Sequence, residues 1–122
     1  IEDRNADYGD LDALSILVDN GWCGGLVLGE ATGDWQALDF KSSSVAMYLN
    51  GDFVENGVTG DAMGHPFESV TWLCDLLARQ GKRLKAGEVV MTGSTLATRF
   101  PEPGDEYRYE VEGLGSVTAT LS

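Results

Sequence analysis

The chain has 122 residues, 43% of them hydrophobic and 23% charged, which is the balance of a soluble globular domain and excludes wholesale disorder. Twenty acidic against eight basic side chains leave a net charge of −12 and a pI near 4.2, which argues against nucleic acid and anionic membrane surfaces as partners. No apolar run reaches the roughly 18 residues of a membrane span, and no basic-then-apolar leader opens the chain.

Residues 1–12 carry Glu2, Asp3, Asp7, Asp10 and Asp12 and read as a solvated loop without the ordered spacing of a calcium loop. Asp10 is placed to cap a short amphipathic helix through Leu11, Leu14, Ile16, Leu17 and Val18, stopping at Asn20-Gly21. Trp22 to Leu28 is apolar and predicts a buried strand ending at Gly29, and Glu30 to Gln36 a polar loop. Leu38 to Leu49 predicts a strand with Val45, Met47 and Leu49 on one face and Ala46 and Tyr48 on the other. Asn50-Gly51 is a strong hairpin signal because both turn positions favour positive φ, and Asp52 to Asn56 is the returning strand.

Gly57 to Gly64 reads as loop. Pro66 then suits the first helical position and Glu68 the positive helix end. Val70, Leu73, Cys74 and Leu77 form an apolar stripe, widened by Phe67, Trp72 and Leu76, and Gly81 ends the helix. The basic residues at 79–85 are explained by the negative helix end rather than by a binding patch. Glu88 to Thr92 predicts a short strand after the Ala86-Gly87 turn. Tyr107, Tyr109 and Val111 alternate with Glu106, Arg108 and Glu110, and Ser116 to Leu121 pairs back after Gly113-Leu114-Gly115. The expected fold is a single α+β domain over 1–122, a mostly antiparallel or mixed β core with two helices packed on it.

Chemistry-bearing residues are sparse. One histidine, His65, excludes a His-rich metal site and suits a loop or helix cap. Cys23 and Cys74 match no metal spacing, lie in apolar stretches, and are expected as buried thiols in a reducing cytoplasm. No nucleophile elbow or phosphate loop occurs. Gly93-Ser94-Thr95 either presents hydroxyls and amides to an anion or is a polar turn. The chain opens on isoleucine rather than methionine, as a trimmed, processed or partial chain would.

Eight segments occur in an order that carries more. They are Asp3-Arg4-Asn5-Ala6-Asp7-Tyr8, Val18-Asp19-Asn20, Gly25-Leu26-Val27-Leu28-Gly29, Leu38-Asp39-Phe40-Lys41, Gly64-His65-Pro66 and Val70-Thr71-Trp72-Leu73. The run from Leu84 to Gly93 and Glu112-Gly113-Leu114-Gly115-Ser116-Val117 complete them. Together they resemble the C-terminal half of 2-keto-4-pentenoate hydratases and 4-oxalocrotonate decarboxylases, in the fumarylacetoacetate hydrolase superfamily. The resemblance implies a mostly β fold, and Mg²⁺ or Mn²⁺ held by three carboxylates. That metal would chelate a small α-keto acid so that its carbonyl acts as an electron sink for hydration or decarboxylation.

It also implies that the three metal ligands, and the catalytic lysine and aspartate, fall upstream of Ile1. Glu2 is then the sole candidate for a substitute ligand. Asp19, Asn20, Thr92, Gly93 and Ser94 are implied at the substrate, with His65 in a matching motif. Trp22 stands where the family's Asp-Asn-x-Ser segment has its serine. The function so implied is a cytoplasmic hydratase-like lyase, incomplete as this chain. Its partners would be a small α-keto acid and either a second copy or an N-terminal half. The alternative is a non-catalytic module that binds a small molecule or drives oligomerisation.

Overall fold

The computed structural model describes residues 12–18 and 20–122. Its centre is one antiparallel sheet of four strands: β1 (Ser44–Leu49), β2 (Asp52–Val58), β3 (Glu106–Val111) and β4 (Gly115–Thr120), in the order β2-β1-β3-β4. There are two α-helices among the described residues, α1 (Ala13–Val18) and α2 (Pro66–Arg79). The α+β class therefore holds.

Local chemistry explains the sheet. Asn50 and Gly51 both take positive φ, 53° and 91°, and close the β1–β2 hairpin tightly. Asn50 also locks the neighbouring connection: its Nδ2 donates to Asp105 Oδ1 at 3.0 Å, and its Oδ1 accepts from Glu106 N–H at 2.9 Å. The β1–β2 register slips between Met47 and Tyr48, which face Glu55 and Phe53, so Val54 is the extra residue of a bulge. In β3, Tyr107, Tyr109 and Val111 pair with Leu49, Met47 and Val45 of β1, as the alternation predicts. Val117 and Ala119 of β4 extend this apolar face. On the other face Tyr48 pairs with Arg108, whose guanidinium lies 4.0 Å from the Tyr48 ring centroid and forms an ion pair with Glu110.

Helix α2 has an explicit start and stop. Pro66 follows the cap residue His65. At the other end Gly81 takes φ 67°, with Gly81 N–H donating to Ala78 O and Lys82 N–H to Leu77 O, the paired bonds of a glycine-terminated helix. The first helix starts later than expected: Asp12 Oδ1 accepts from Leu14 and Ser15 N–H at 2.7 and 3.0 Å, so Asp12 is its cap. Asp10 lies outside the described residues.

Five expectations fail. Residues 23–29 form no strand with any described residue, and Leu26, Val27 and Leu28 are exposed. Residues 88–92 likewise form no strand. Both segments carry the apolar sequence of a strand, but a ladder needs a neighbour. The β1 strand begins at Ser44 rather than Leu38, because Asp39 Oδ1 accepts from Lys41 and Ser42 N–H, both at 3.0 Å, and folds that stretch into a turn. Both cysteines are exposed and neither is in a disulfide. Nor are the helices laid on the sheet as expected. The ties of α2 run to connecting segments: Phe67 stacks near Phe40 and Trp35, with centroids 4.9 and 6.1 Å away, and Ser69 Oγ donates to Thr92 O at 2.6 Å.

The core is small. Among the described residues the buried hydrophobic side chains are Val45 and Ala62. Leu14, Leu17, Val18, Leu28, Trp72, Met91 and Phe100 are all exposed. No helix among the described residues is long and apolar enough to cross a membrane.

Candidate functional site

The residues implied at the substrate fall into two places. Thr92, Gly93 and Ser94 lie on an irregular stretch supported from three sides. From α2, Ser69 Oγ donates to Thr92 O. From the turn after β2, Ala62 lies so close that a Cβ on Gly93 would meet its methyl at 3.7 Å. From the sheet, Tyr109 Oη and Thr95 Oγ1 share a hydrogen bond of 2.6 Å. Gly93 takes φ 115°, which a side chain would strain, so glycine is required there. Ser94 Oγ donates to Leu96 O at 2.8 Å, which makes this stretch a self-bonded polar turn.

The end of β2 completes the support. A Cβ on Gly57 would stand 2.9 Å from Asp61 Oδ2, 3.0 Å from Thr95 O and 3.1 Å from Leu96 Cδ2. Asp61 Oδ2 in turn accepts from Val58 N–H at 2.9 Å. Next to it, Thr59 is buried and its Oγ1 has no hydrogen-bond partner among the described residues, a costly arrangement for a hydroxyl.

Asn20 belongs elsewhere. It takes φ 53° in the turn Asn20–Trp22, and its Nδ2 donates to Cys23 O at 3.4 Å. No hydrogen bond joins it to Thr92, Gly93 or Ser94. Asp19 and Glu2 lie outside the described residues, as does the side chain of Trp22. His65 is a helix cap: its Nδ1 accepts from Phe67 N–H at 3.0 Å.

Thr95, which the sequence had marked with Gly93 and Ser94, supports this stretch together with Ser69, Gly57 and Asp61, which sequence reasoning passed over. Ser69 had a legible signal. It lies four residues before Leu73, on the apolar stripe of α2, where a hydroxyl needs a partner. Gly57 had none, since its role is a close approach by Asp61, four residues on, and by Thr95 and Leu96, which lie far along the chain.

A shallow groove of about 400 Å³ lies on the opposite, polar face of the sheet, lined by Ser44, Ala46, Glu110, Glu112 and Ser116 among others. None of the substrate residues lines it. Its Glu112 is committed to structure: Ser44 N–H and Oγ donate to Oε2 at 3.2 and 2.9 Å and hold the carboxyl below its ordinary value.

Compared with known proteins, residues 6–122 match the family described as fumarylacetoacetate (FAA) hydrolase, C-terminal. The chain belongs to the fumarylacetoacetate hydrolase family. Within it, a 4-oxalocrotonate decarboxylase of Pseudomonas putida is 35% identical over 88% of this chain and 41% of its own length. A 2-hydroxyhexa-2,4-dienoate hydratase of Comamonas testosteroni is 34% identical over 82% and 38%. The chain thus spans about two fifths of the length of these curated relatives. A solved 4-oxalocrotonate decarboxylase of Pseudomonas putida G7, complexed with calcium and acetate, superposes with a TM-score of 0.83 at 34% identity, covering 91% of this chain and 43% of that one. A second structure of that decarboxylase is complexed with magnesium and adipate.

Divalent metal use is therefore present in the family. The described residues do not fit such an ion: among them no three His, Cys, Asp or Glu side chains are grouped to hold one. The carboxylates of Asp39, Asp105 and Glu112 accept hydrogen bonds from Ser42 Oγ, Glu102 N–H and Ser44 Oγ.

Proposed function

We propose that this chain forms the C-terminal part of a hydratase-like lyase that adds water to a 2-hydroxy-dienoate or 2-oxo-alkenoate. The observation that supports it most is the 0.83 TM-score at 34% identity to a decarboxylase complexed with a divalent cation and a carboxylate. The sequence relatives, a decarboxylase and a hydratase, act on the same class of small conjugated keto acid. In this reading the described residues take no part in holding metal, and their share of the work is at the substrate. The Thr92-Gly93-Ser94 turn forms one wall, with His65 behind it at the start of α2. Asp19, Asn20 and Trp22 are the further residues that the family resemblance implies at the substrate. Trp22 in place of a serine exchanges a hydroxyl for an indole, which favours a larger or less polar substrate tail.

The reading includes a partner. Exposed side chains such as Leu28, Trp72 and Met91 pack against the remainder of a hydratase or a second copy of this chain. A second reading, a non-catalytic binding module, is favoured by one observation, the absence of a metal donor set among the described residues.

The deciding experiment mixes the chain with the N-terminal three fifths of a hydratase relative, adds Mg²⁺ or Mn²⁺, and follows loss of dienoate absorbance. Metal-dependent turnover that needs both pieces is the expected result. No turnover in any combination, with saturable binding of a small α-keto acid to this chain alone, would replace the lyase by the binding module.

A further inference from the structure

The sequence has three methionines, and one of them stands where the backbone least favours it. Met63, in the turn between β2 and α2, takes φ 60°, a left-handed conformation that side chains rarely adopt. Backbone bonds hold it there: Met63 N–H donates to Asp61 O at 3.2 Å, and Gly64 N–H to Gly60 O at 2.7 Å. Strain of this kind clusters at functional sites. The side chain is exposed, yet its sulfur is engaged, because Ser69 Oγ donates to Met63 Sδ at 3.2 Å. Met91 is as exposed and Met47 is half-buried in β1, but no hydroxyl among the described residues donates to either sulfur.

The hydroxyl that meets Met63 is the one that holds the candidate site, since Ser69 Oγ also donates to Thr92 O at 2.6 Å. A serine has one proton to give, so carbonyl and sulfur compete for it. A thioether is a weak acceptor, and the shorter contact assigns the proton to Thr92 O. Oxidation of the sulfur reverses that competition. A sulfoxide is polar, and its oxygen stands one bond beyond sulfur, within reach of Ser69 Oγ.

We propose that Met63 is an oxidation-sensitive latch on the candidate site: as a thioether it leaves the Ser69 proton on Thr92 O, and as a sulfoxide it takes that proton and frees the Thr92-Gly93-Ser94 turn. The oxidant is a peroxide. A sulfur lone pair attacks one peroxide oxygen, the O–O bond breaks as the S–O bond forms, and the other oxygen leaves as hydroxide and takes up a proton to become water. Sulfur is thereby oxidised by two electrons and the peroxide reduced by two. Methionine sulfoxide reductases reverse the change. The Met63–Ser69–Thr92 geometry carries this whether or not the chain is part of a lyase.

The test treats the 122-residue chain with hydrogen peroxide and locates the oxidised methionines by peptide mass. It follows the amide nitrogen shift of Gly93, which shares a peptide group with Thr92 O and so reports the hydrogen bond to it. Ser69→Ala gives the shift without that bond. On oxidation of Met63 the Gly93 nitrogen moves most of the way to the Ser69→Ala value, and the reductase returns it. In Met63→Leu, which keeps Met47 and Met91, peroxide leaves the shift in place, while in Met91→Leu the full response remains. A Met63-oxidised chain with the parent's Gly93 shift would overturn the proposal. So would a Met63→Leu chain that responds like the parent, a Met91→Leu chain that does not respond, or a Met63 that stays reduced while Met91 is oxidised. A Ser69→Ala chain with the parent's Gly93 shift would remove the latch itself.

Discussion

Replacing Gly57 by alanine probes the support of the candidate site with one methyl group. Its backbone is not in the left-handed region, so alanine meets no φ penalty there. The cost comes from contact. The new Cβ stands 2.9 Å from Asp61 Oδ2, 3.0 Å from Thr95 O and 3.1 Å from Leu96 Cδ2. The leucine can rotate away. The other two cannot move freely, because Asp61 Oδ2 is bonded to Val58 N–H and Thr95 O is backbone. Overpacking of this kind costs about 1–3 kcal/mol. At about 2.1 cal/mol/K per residue, a chain of 122 residues has an unfolding entropy near 0.26 kcal/mol/K, so Tm should fall by about 4–12 °C. Gly33→Ala is the control, since a Cβ there meets nothing within 4 Å and φ is not positive. Thermal unfolding of the two variants beside the parent is the assay. A Gly57→Ala chain within about 0.5 kcal/mol of the parent would refute the close packing. So would a Gly33→Ala chain that loses as much.

Asn50→Ala removes two side-chain hydrogen bonds and leaves alanine at φ 53°, so urea unfolding should show a loss of about 2–3 kcal/mol at unchanged m. Acid should destabilise the fold through hydrogen-bonded carboxylates. Asp39 is lowered chiefly by the Ser42 hydroxyl, Glu112 by Ser44 N–H, and Asp105 by Glu102 N–H. Their folded values lie below the unfolded ones, so the unfolded chain binds more protons in that window, and stability is present above about pH 4 and lost as pH falls below it. Urea midpoints between about pH 6 and pH 3 measure this, and Glu112→Gln should make the fall shallower. Calorimetry with Mg²⁺ on the chain alone should show only the diffuse binding of an acidic protein, since no donor set is grouped among the described residues, and a single tight stoichiometric site would overturn this and turn attention to Glu2, Asp3 and Asp7.

The elements read correctly from sequence are those specified by near neighbours. The hairpin at Asn50-Gly51 and helix α2 each have start and stop chemistry within a few residues: positive φ in the turn, Pro66 and His65 at one helix end, Gly81 at the other. Alternation gave β3 and β4 for the same reason, since one face of a paired strand is buried by its immediate ladder. The segments 22–28 and 88–92 were misread because their apolar residues show a need for burial but not what supplies it. Val27 and Val89 have strand propensity, yet each is exposed. A strand exists only where a second strand presents free amides and carbonyls, and that depends on the whole assembly.

The same distinction explains how the candidate site was read. Family motifs picked out Thr92-Gly93-Ser94, but not Ser69, Gly57 or Asp61, which hold that turn from behind. Motifs mark groups that meet a ligand, while supporting groups are defined by distances across the fold. Exposure carries this further. The apolar stripe of α2 is covered only in part, since Val70, Leu73 and Leu77 are half-buried while Cys74 and Trp72 are exposed. Among the described residues Leu28, Trp72, Met91 and Phe100 are exposed beside two buried hydrophobic side chains, so much apolar surface stays open. The sequence therefore encodes a larger core than the described residues close among themselves, and its apolar pattern is best tested in the presence of whatever covers it.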